Sequence, residues 1–164
     1  MLPPDIYDLA RQVILAYGEH KKKIVTAESC TGGLIGAALT QIPGSSIVVE
    51  RGFITYSNDS KTEVLAVMPE TLRAFGAVSQ QVAELMAQGA LEFSLADVAI
   101  SVTGVAGPNG GTADKPVGLV YLGLATRAGA IFHYKCNFKG DRGDIRAQTV
   151  REALKLLLSA AVPS

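Results

Sequence analysis

The chain has 164 residues, of which 48% are hydrophobic and 18% are charged, and its 15 acidic residues balance its 15 basic residues. This composition is typical of a globular chain, and the balanced charge argues against nucleic acid and anionic lipid as partners. The length predicts a single domain over residues 1–164. No membrane span is expected, because glycines and Pro43 interrupt the uncharged stretch at 29–49.

Cysteine and histidine are sparse. Cys30, Cys136, His20 and His133 are isolated from one another and match no redox or metal-ligand spacing. The sequence therefore predicts no metal and no cofactor, and the unpaired thiols indicate a reduced, cytoplasmic protein. The opening residues contain two prolines and two acidic side chains instead of a basic segment followed by an apolar one, so no secretory signal is predicted.

Helices and strands alternate in the first part of the chain. Apolar residues at helical spacing over 6–17 predict a helix that ends near Gly18, and Ile24 begins a strand. A helix over 34–41 follows. The β-branched and aromatic segment over 47–56 predicts a second strand.

Three helix starts and a strand are predicted next. Asn58 is suited to cap one short helix, Pro69 to begin another, and Ser79 to cap a longer one. Alternating apolar residues over 98–102 then predict a strand.

The last part of the chain predicts a hairpin and a final helix. The β-rich runs 117–126 and 131–138 are separated by a short turn, and residues 142–144 are expected to cap the helix that follows. Helices around mixed strands predict an α/β fold: a layered α/β/α domain with a mixed sheet, helices on both faces and one antiparallel hairpin.

The uncharged string AESCTGG at 27–33 connects a predicted strand to a predicted helix. A hydroxyl at Ser29 can stand clear of the sheet there, while Gly32 and Gly33 admit a substrate to the backbone and the first N–H groups of the helix face developing negative charge. This geometry suits acyl transfer. The alternative is that Ser29 or Thr31 is simply the helix N-cap.

Lys61 is the predicted base for Ser29, since neither histidine lies in a triad context. It follows the second strand in YSNDSK, at a corner equivalent to that of Ser29, and serine catalysis with a lysine base is an established variant. Its pKa must fall by about 3 units, a differential interaction on the order of 4 kcal/mol. The alternative is an exposed helix lysine.

A glycine-rich loop follows the strand that ends at Thr103. Residues 104–118 contain five glycines and two prolines but match neither the Walker nor the dinucleotide pattern. Its backbone N–H groups can hold a phosphate, with Thr103 and Lys115 as possible helpers, and Arg142 can reach a phosphate or carboxylate. The alternative is a long lead into the hairpin. All three special loops are predicted at the carboxyl ends of strands, where ligands gather in open α/β sheets.

Five ordered motifs resemble the CinA C-terminal domain family, whose enzymatic members are nicotinamide mononucleotide deamidases. The resemblance covers nearly all of the chain after the first helix and matches the form without an amino-terminal domain. The motifs are AESCTGG at 27–33, GFITYSNDSK at 52–61, GAVSQQVAELMAQGA at 76–90, SVTGVAGPNGGTADKPVG at 101–118 and KGDRGDIR at 139–146.

The resemblance implies hydrolysis of the carboxamide of nicotinamide mononucleotide to nicotinic acid mononucleotide and ammonia. The family's serine, tyrosine and lysine match Ser29, Tyr56 and Lys61, and these three are the expected catalytic residues. The expected partner is thus a small nucleotide. The residues expected to bind it are Thr31, Gly32, Gly33, Thr103, Gly104, Gly107 and Arg142.

Two positions depart from the family's usual motifs, with Val105 in the TG-AGP loop and Arg51 before Gly52. The intact catalytic set argues against the rival interpretation, a nucleotide-binding regulatory module without turnover. Cys30 is the stronger intrinsic nucleophile, but we expect it to pack inward beside Ser29. The mean hydropathy of +0.27 favours a homo-oligomer.

Overall fold

The fold is that of a computed structural model, which describes residues 2–162. Six α-helices and five strands occur in this part of the chain. The helices are α1 (Pro4–Glu19), α2 (Leu34–Thr40), α3 (Asn58–Leu65), α4 (Pro69–Phe75), α5 (Gln80–Glu92) and α6 (Arg142–Ala160). The strands are β1 (Ile24–Glu28), β2 (Val49–Ile54), β3 (Val98–Gly104), β4 (Leu119–Thr126) and β5 (Ile131–Asn137).

The five strands form one mixed sheet in the order β2-β1-β3-β4-β5. Strands β2, β1 and β3 are parallel, whereas β4 is antiparallel to β3 and β5 is antiparallel to β4. The β4–β5 pair is the predicted hairpin. This arrangement confirms the expected α/β class, because the helices of the layers on either side cover both faces of a mixed sheet.

Alternate residues of the central strands supply two separate cores. Ile24 and Ile100 pack on one face with apolar residues of α1, α2 and α6. Val25 and Ala99 pack on the other face, mainly with α5. All five residues of β1 are buried, including the polar Thr26 and Glu28, because this strand is covered on both faces.

Three predicted boundaries are corrected. Strand β2 begins at Val49 because residues 45–47 form a 3₁₀ turn. Ser57, not Asn58, caps α3, since its side chain accepts a hydrogen bond from the Ser60 N–H. The final helix is capped by Asp141, which precedes the predicted 142–144 tripeptide and exchanges hydrogen bonds with Asp144 in a capping box.

Other expectations at the helix ends hold. Ser79 caps α5 by accepting a hydrogen bond from the Val82 N–H, and Pro69 lies in the first turn of α4. Within residues 2–162, none of the helices combines the length and the apolar run that crossing a bilayer requires.

Two helical glycines provide a direct test of the packing beneath α3. A β-carbon at Gly89 would lie 2.0 Å from the Leu65 carbonyl oxygen, whereas one at Gly18 would make ordinary contacts at 3.7 Å or more. We expect Gly89→Ala to lower the free energy of unfolding in urea by about 1–3 kcal/mol or more. The matched Gly18→Ala variant should stabilise the protein by up to about 1 kcal/mol. Equal stabilities of the two variants would contradict this packing.

Candidate active site

The loops that follow β1, β2 and β3 meet at one edge of the sheet and enclose a cavity of about 310 Å³. This is the edge predicted for ligand binding, because the carboxyl ends of parallel strands lie side by side there. Seven of the ten predicted site residues line the cavity: Ser29, Tyr56, Lys61, Thr103, Gly104, Gly107 and Arg142.

The centre of the cavity is a contact between Lys61 and Ser29. Helix α3 turns Lys61 inward, so that its side chain is only 1% exposed and its Nζ lies 2.9 Å from the Ser29 Oγ. The alternative of an exposed helix lysine is therefore wrong. The two residues are 32 positions apart in the sequence and are joined by the parallel pairing of β1 and β2.

Two backbone carbonyls complete the surroundings of the Lys61 amine. Nζ lies 2.9 Å from the Thr55 oxygen and 3.3 Å from the Tyr56 oxygen. A neutral amine has two N–H groups and one lone pair, so the two carbonyls accept the N–H groups and the lone pair is left for the Ser29 hydroxyl. Burial lowers the pKa of Lys61 from its ordinary value, because a charged ammonium loses its hydration there.

The loop that carries Ser29 is held from inside the protein. The buried Glu28 carboxylate accepts hydrogen bonds from the Thr31 hydroxyl and from the N–H groups of Ile35 and Gly36 in the first turn of α2. Gly33 is the N-cap residue of α2, at a φ of 104° that side chains rarely adopt. Neither Ser29 nor Thr31 caps α2, so the N-cap alternative for these residues is wrong.

The Thr31 side chain points away from the cavity, and Gly32 and Gly33 do not line it, although all three residues were predicted to bind substrate. Thr31 is fully buried and its hydroxyl is bonded to Glu28 at 2.6 Å. Gly32 and Gly33 also lie outside the residues that line the cavity. Gly33 faces the Ile54 side chain of β2, which a β-carbon at Gly33 would approach to 2.9 Å. These residues shape the turn instead of forming the cavity wall.

Tyr56 and Arg142 form the rim of the cavity. The Arg142 guanidinium donates to the Tyr56 Oη at 3.0 Å and to the Gly107 carbonyl at 2.8 Å, which joins α6 to the glycine-rich loop. Thr103 lies deeper and donates its hydroxyl to the Ala77 carbonyl at 2.9 Å, so it can offer a ligand only a lone pair.

Comparisons with known proteins identify a family that matches nearly the whole chain. The family model described as the CinA C-terminal domain matches residues 6–161. The chain belongs to the CinA C-terminal domain family. A crystal structure of the competence/damage inducible protein CihA from Agrobacterium tumefaciens superimposes with a TM-score of 0.95 at 51% identity, over 97% of either chain.

Curated relatives of this CinA domain fall into two lengths. The nicotinamide-nucleotide amidohydrolase PncC of Escherichia coli strain K12 is 44% identical over 158 residues, which cover 96% of this chain and 95% of that protein. A CinA-like protein of Endomicrobium trichonymphae is 54% identical over 139 residues, which cover 85% of this chain. The chain spans only 32% of the length of that longer relative.

The sequence did not reveal four further residues of the site in this CinA domain. Asn58 and Asn109 line the cavity, and Glu28 and Arg146 hold the Ser29 loop from behind. The sequence indicated Asn58 only as a helix cap and Glu28 only as the end of a strand. Arg146 ends the motif KGDRGDIR and lies four residues after Arg142, on the same face of α6, and these two signals link it to the site.

Cys30 is packed inward beside Ser29. It is 6% exposed, and burial raises the pKa of its thiol to about 11. The thiolate is therefore scarce at neutral pH, although Cys30 is adjacent to the hydroxyl that contacts Lys61. Cys136 is only partly buried.

This difference predicts the order in which the thiols react. In the folded CinA domain, iodoacetamide at pH 8 should alkylate Cys136 before Cys30. Cys30 should react roughly 100-fold more slowly than a free thiol, because few Cys30 side chains are ionised. Peptide mass spectrometry at timed intervals measures the two rates. Both thiols should react equally in urea, and rapid labelling of Cys30 in the native protein would contradict its inward packing.

Proposed function

We propose that the chain hydrolyses the carboxamide of nicotinamide mononucleotide to nicotinic acid mononucleotide and ammonia, with Ser29 as nucleophile and Lys61 as general base. The observation that carries this proposal is the 2.9 Å contact between a buried lysine amine and a serine hydroxyl inside a cavity. The name of the PncC relatives as nicotinamide-nucleotide amidohydrolases supports the substrate.

In the first step the Ser29 Oγ attacks the carboxamide carbon and its proton passes to the neutral Lys61 Nζ. The carbonyl oxygen becomes an oxyanion. Collapse of this tetrahedral intermediate breaks the C–N bond, and the Lys61 ammonium returns the proton to the departing nitrogen, which leaves as ammonia. The product of this step is an ester of Ser29.

Water completes the reaction. Lys61, neutral again, accepts a proton from a water molecule that attacks the ester carbon, and the Lys61 ammonium then protonates Ser29 Oγ as the C–O bond breaks. The product acid then loses its proton to the released ammonia, which leaves a nicotinate carboxylate and an ammonium ion. Water has been consumed and ammonia released, so atoms and charge balance without a metal or cofactor.

The oxyanion is stabilised by backbone N–H groups beside Ser29. Within residues 2–162 the N–H groups of Cys30 and Thr31 have no backbone acceptor. Cys30 also lines the cavity. Free N–H groups next to the nucleophile are the usual donors to such an oxyanion. Removing one such donor lowers kcat by about 10²–10³-fold.

The rim residues bind the nucleotide part of the substrate. Arg142 has five N–H donors, and its two partners, Tyr56 and Gly107, leave others for a phosphate. Tyr56 orients the carboxamide beside Lys61, while Gly104, Gly107 and the Thr103 oxygen contact the ribose side. We place the reaction in the cytoplasm, where Cys30 and Cys136 remain reduced.

Ammonia release from nicotinamide mononucleotide by the purified protein tests the reaction directly. Ser29→Ala should lose turnover by about 10⁴-fold or more while still binding the nucleotide in a calorimeter. The neighbouring Cys30→Ala, which changes only a buried thiol, is the control and should stay active. Nucleotide binding without ammonia release by the wild type would indicate a binding module, and an inactive Cys30→Ala with an active Ser29→Ala would indicate a cysteine amidase.

The pH profile tests the role of Lys61. Turnover requires the neutral amine, so the rate should rise with pH through a pKa that lies below the ordinary lysine value of 10.5, as burial dictates. Lys61→Arg keeps a positive charge that cannot accept a proton at these pH values, and turnover should fall by several orders of magnitude.

The matched control for this change is Lys155→Arg, which makes the same substitution at an exposed position of α6. It should keep the wild-type rate and profile. If the Lys61→Arg variant turned over at the normal rate, Lys61 would be excluded as the base.

A further inference from the structure

Arg146 contacts the Ser29 loop from behind, although no catalytic step described above uses it. It lies in α6, one helical turn after Arg142. Its Nε donates to the Cys30 carbonyl at 3.2 Å, and one terminal nitrogen donates to the Thr31 carbonyl at 3.0 Å. One guanidinium thus holds two consecutive carbonyls of the loop that carries the proposed nucleophile.

These carbonyls belong to a tight turn. The Gly32 N–H donates to the Ser29 carbonyl at 3.0 Å, which closes a turn over residues 29–32. The central peptide of such a turn, here between Cys30 and Thr31, is the group whose orientation distinguishes turn types I and II. Arg146 therefore binds the carbonyl whose direction defines the turn.

The direction of that carbonyl determines where an N–H points. In a planar trans peptide the carbonyl and the N–H face opposite ways, so the Thr31 N–H points away from Arg146. Within residues 2–162, the N–H groups of Cys30 and Thr31 have no backbone acceptor, and neither has that of Gly33. A flipped central peptide would turn the Thr31 N–H towards α6 and remove it as a donor to a ligand.

We propose that Arg146 is a positioning residue that locks the Ser29–Gly32 turn in the orientation that presents free N–H groups to the oxyanion. This inference rests on the proposed hydrolysis and adds a residue to its machinery. A guanidinium suits the task because its fork of donors spans two carbonyls, whereas the single ammonium of a lysine is a point donor.

A positioning role differs from an electrostatic effect on the base. Arg146 bonds the Cys30 and Thr31 carbonyls, whereas the Lys61 amine contacts Ser29, Thr55 and Tyr56, so the two groups share no hydrogen-bond partner. Replacing Arg146 should therefore lower turnover without moving the acidic limb of the pH profile. The substrate is already bound before the oxyanion forms, so KM should change little.

The experiment compares Arg146→Ala and Arg146→Lys with Arg151→Ala, which removes an arginine from the same helix where it pairs with Asp5. We expect kcat to fall about 10- to 100-fold in Arg146→Ala, with KM within about twofold of the wild type. Arg146→Lys should recover part of the loss, and Arg151→Ala should keep the wild-type kcat. An unchanged kcat, a rise in KM alone or a displaced acidic limb would overturn the proposal.

A second readout is independent of the substrate. Phenylmethylsulfonyl fluoride sulfonylates an activated serine: the Oγ–S bond forms, fluoride leaves and the hydroxyl proton passes to Lys61. Mass spectrometry of the Ser29 peptide gives the rate, which should be at least about 10-fold lower in Arg146→Ala because the sulfonyl oxygens need the same N–H donors. Arg146→Lys should again recover part of the rate, and it replaces Arg146→Ala if that variant fails to fold.

The two readouts separate failure of this inference from failure of the proposed function. A wild type that releases no ammonia but labels rapidly at Ser29 would refute the amidase, and slower labelling of the Arg146 variants would still support the positioning role. Equal labelling rates in the wild type and both variants, or no labelling of the wild type, would refute the positioning role.

Discussion

The site depends on the Lys61 amine, which is buried and has no carboxylate partner within residues 2–162. Lys61 Nζ has two carbonyl acceptors and the Ser29 hydroxyl as its hydrogen-bond partners. A carboxylate in that position would favour the ammonium and raise the pKa, whereas burial lowers it. A carbonyl oxygen carries only a partial negative charge. It therefore orients the amine while favouring the ammonium less than a carboxylate would. In the mechanism proposed above, this arrangement keeps the Lys61 amine available as a base beside the Ser29 hydroxyl.

The sheet brings these groups together and the helices hold them in place. Parallel pairing of β1 with β2 and β3 places three loop starts along one edge, and the antiparallel β4 returns the glycine-rich loop to the same edge. Helix α6 then crosses behind it, with Arg142 at the rim and Arg146 under the Ser29 turn. Glu28 and Arg146, which take no part in the proposed proton transfers, hold the backbone around Ser29 through their hydrogen bonds.

Local sequence signals predicted the fold class, the Ser79 cap and the hairpin, because periodicity and capping depend on neighbouring residues. The approach of Lys61 to Ser29 was a hypothesis from two equivalent strand ends, and the structure shows the contact. Thr31, Gly32 and Gly33 lie outside the lining of the cavity, since a turn exposes some residues and buries the next. Arg146 went unnoticed because its contacts span more than 100 residues of sequence.

The measurement that bears most directly on this account is the pKa of the Lys61 amine itself. Labelling of the lysines with ¹³C at Cε, followed by NMR titration, resolves the amines without altering them, and Lys61→Arg assigns the signal that disappears. The account predicts that the Lys61 signal titrates below the ordinary lysine value of 10.5, in step with the acidic limb of ammonia release. A Lys61 signal that titrates at or above 10.5 would contradict the account, because an amine that stays charged cannot take the Ser29 proton.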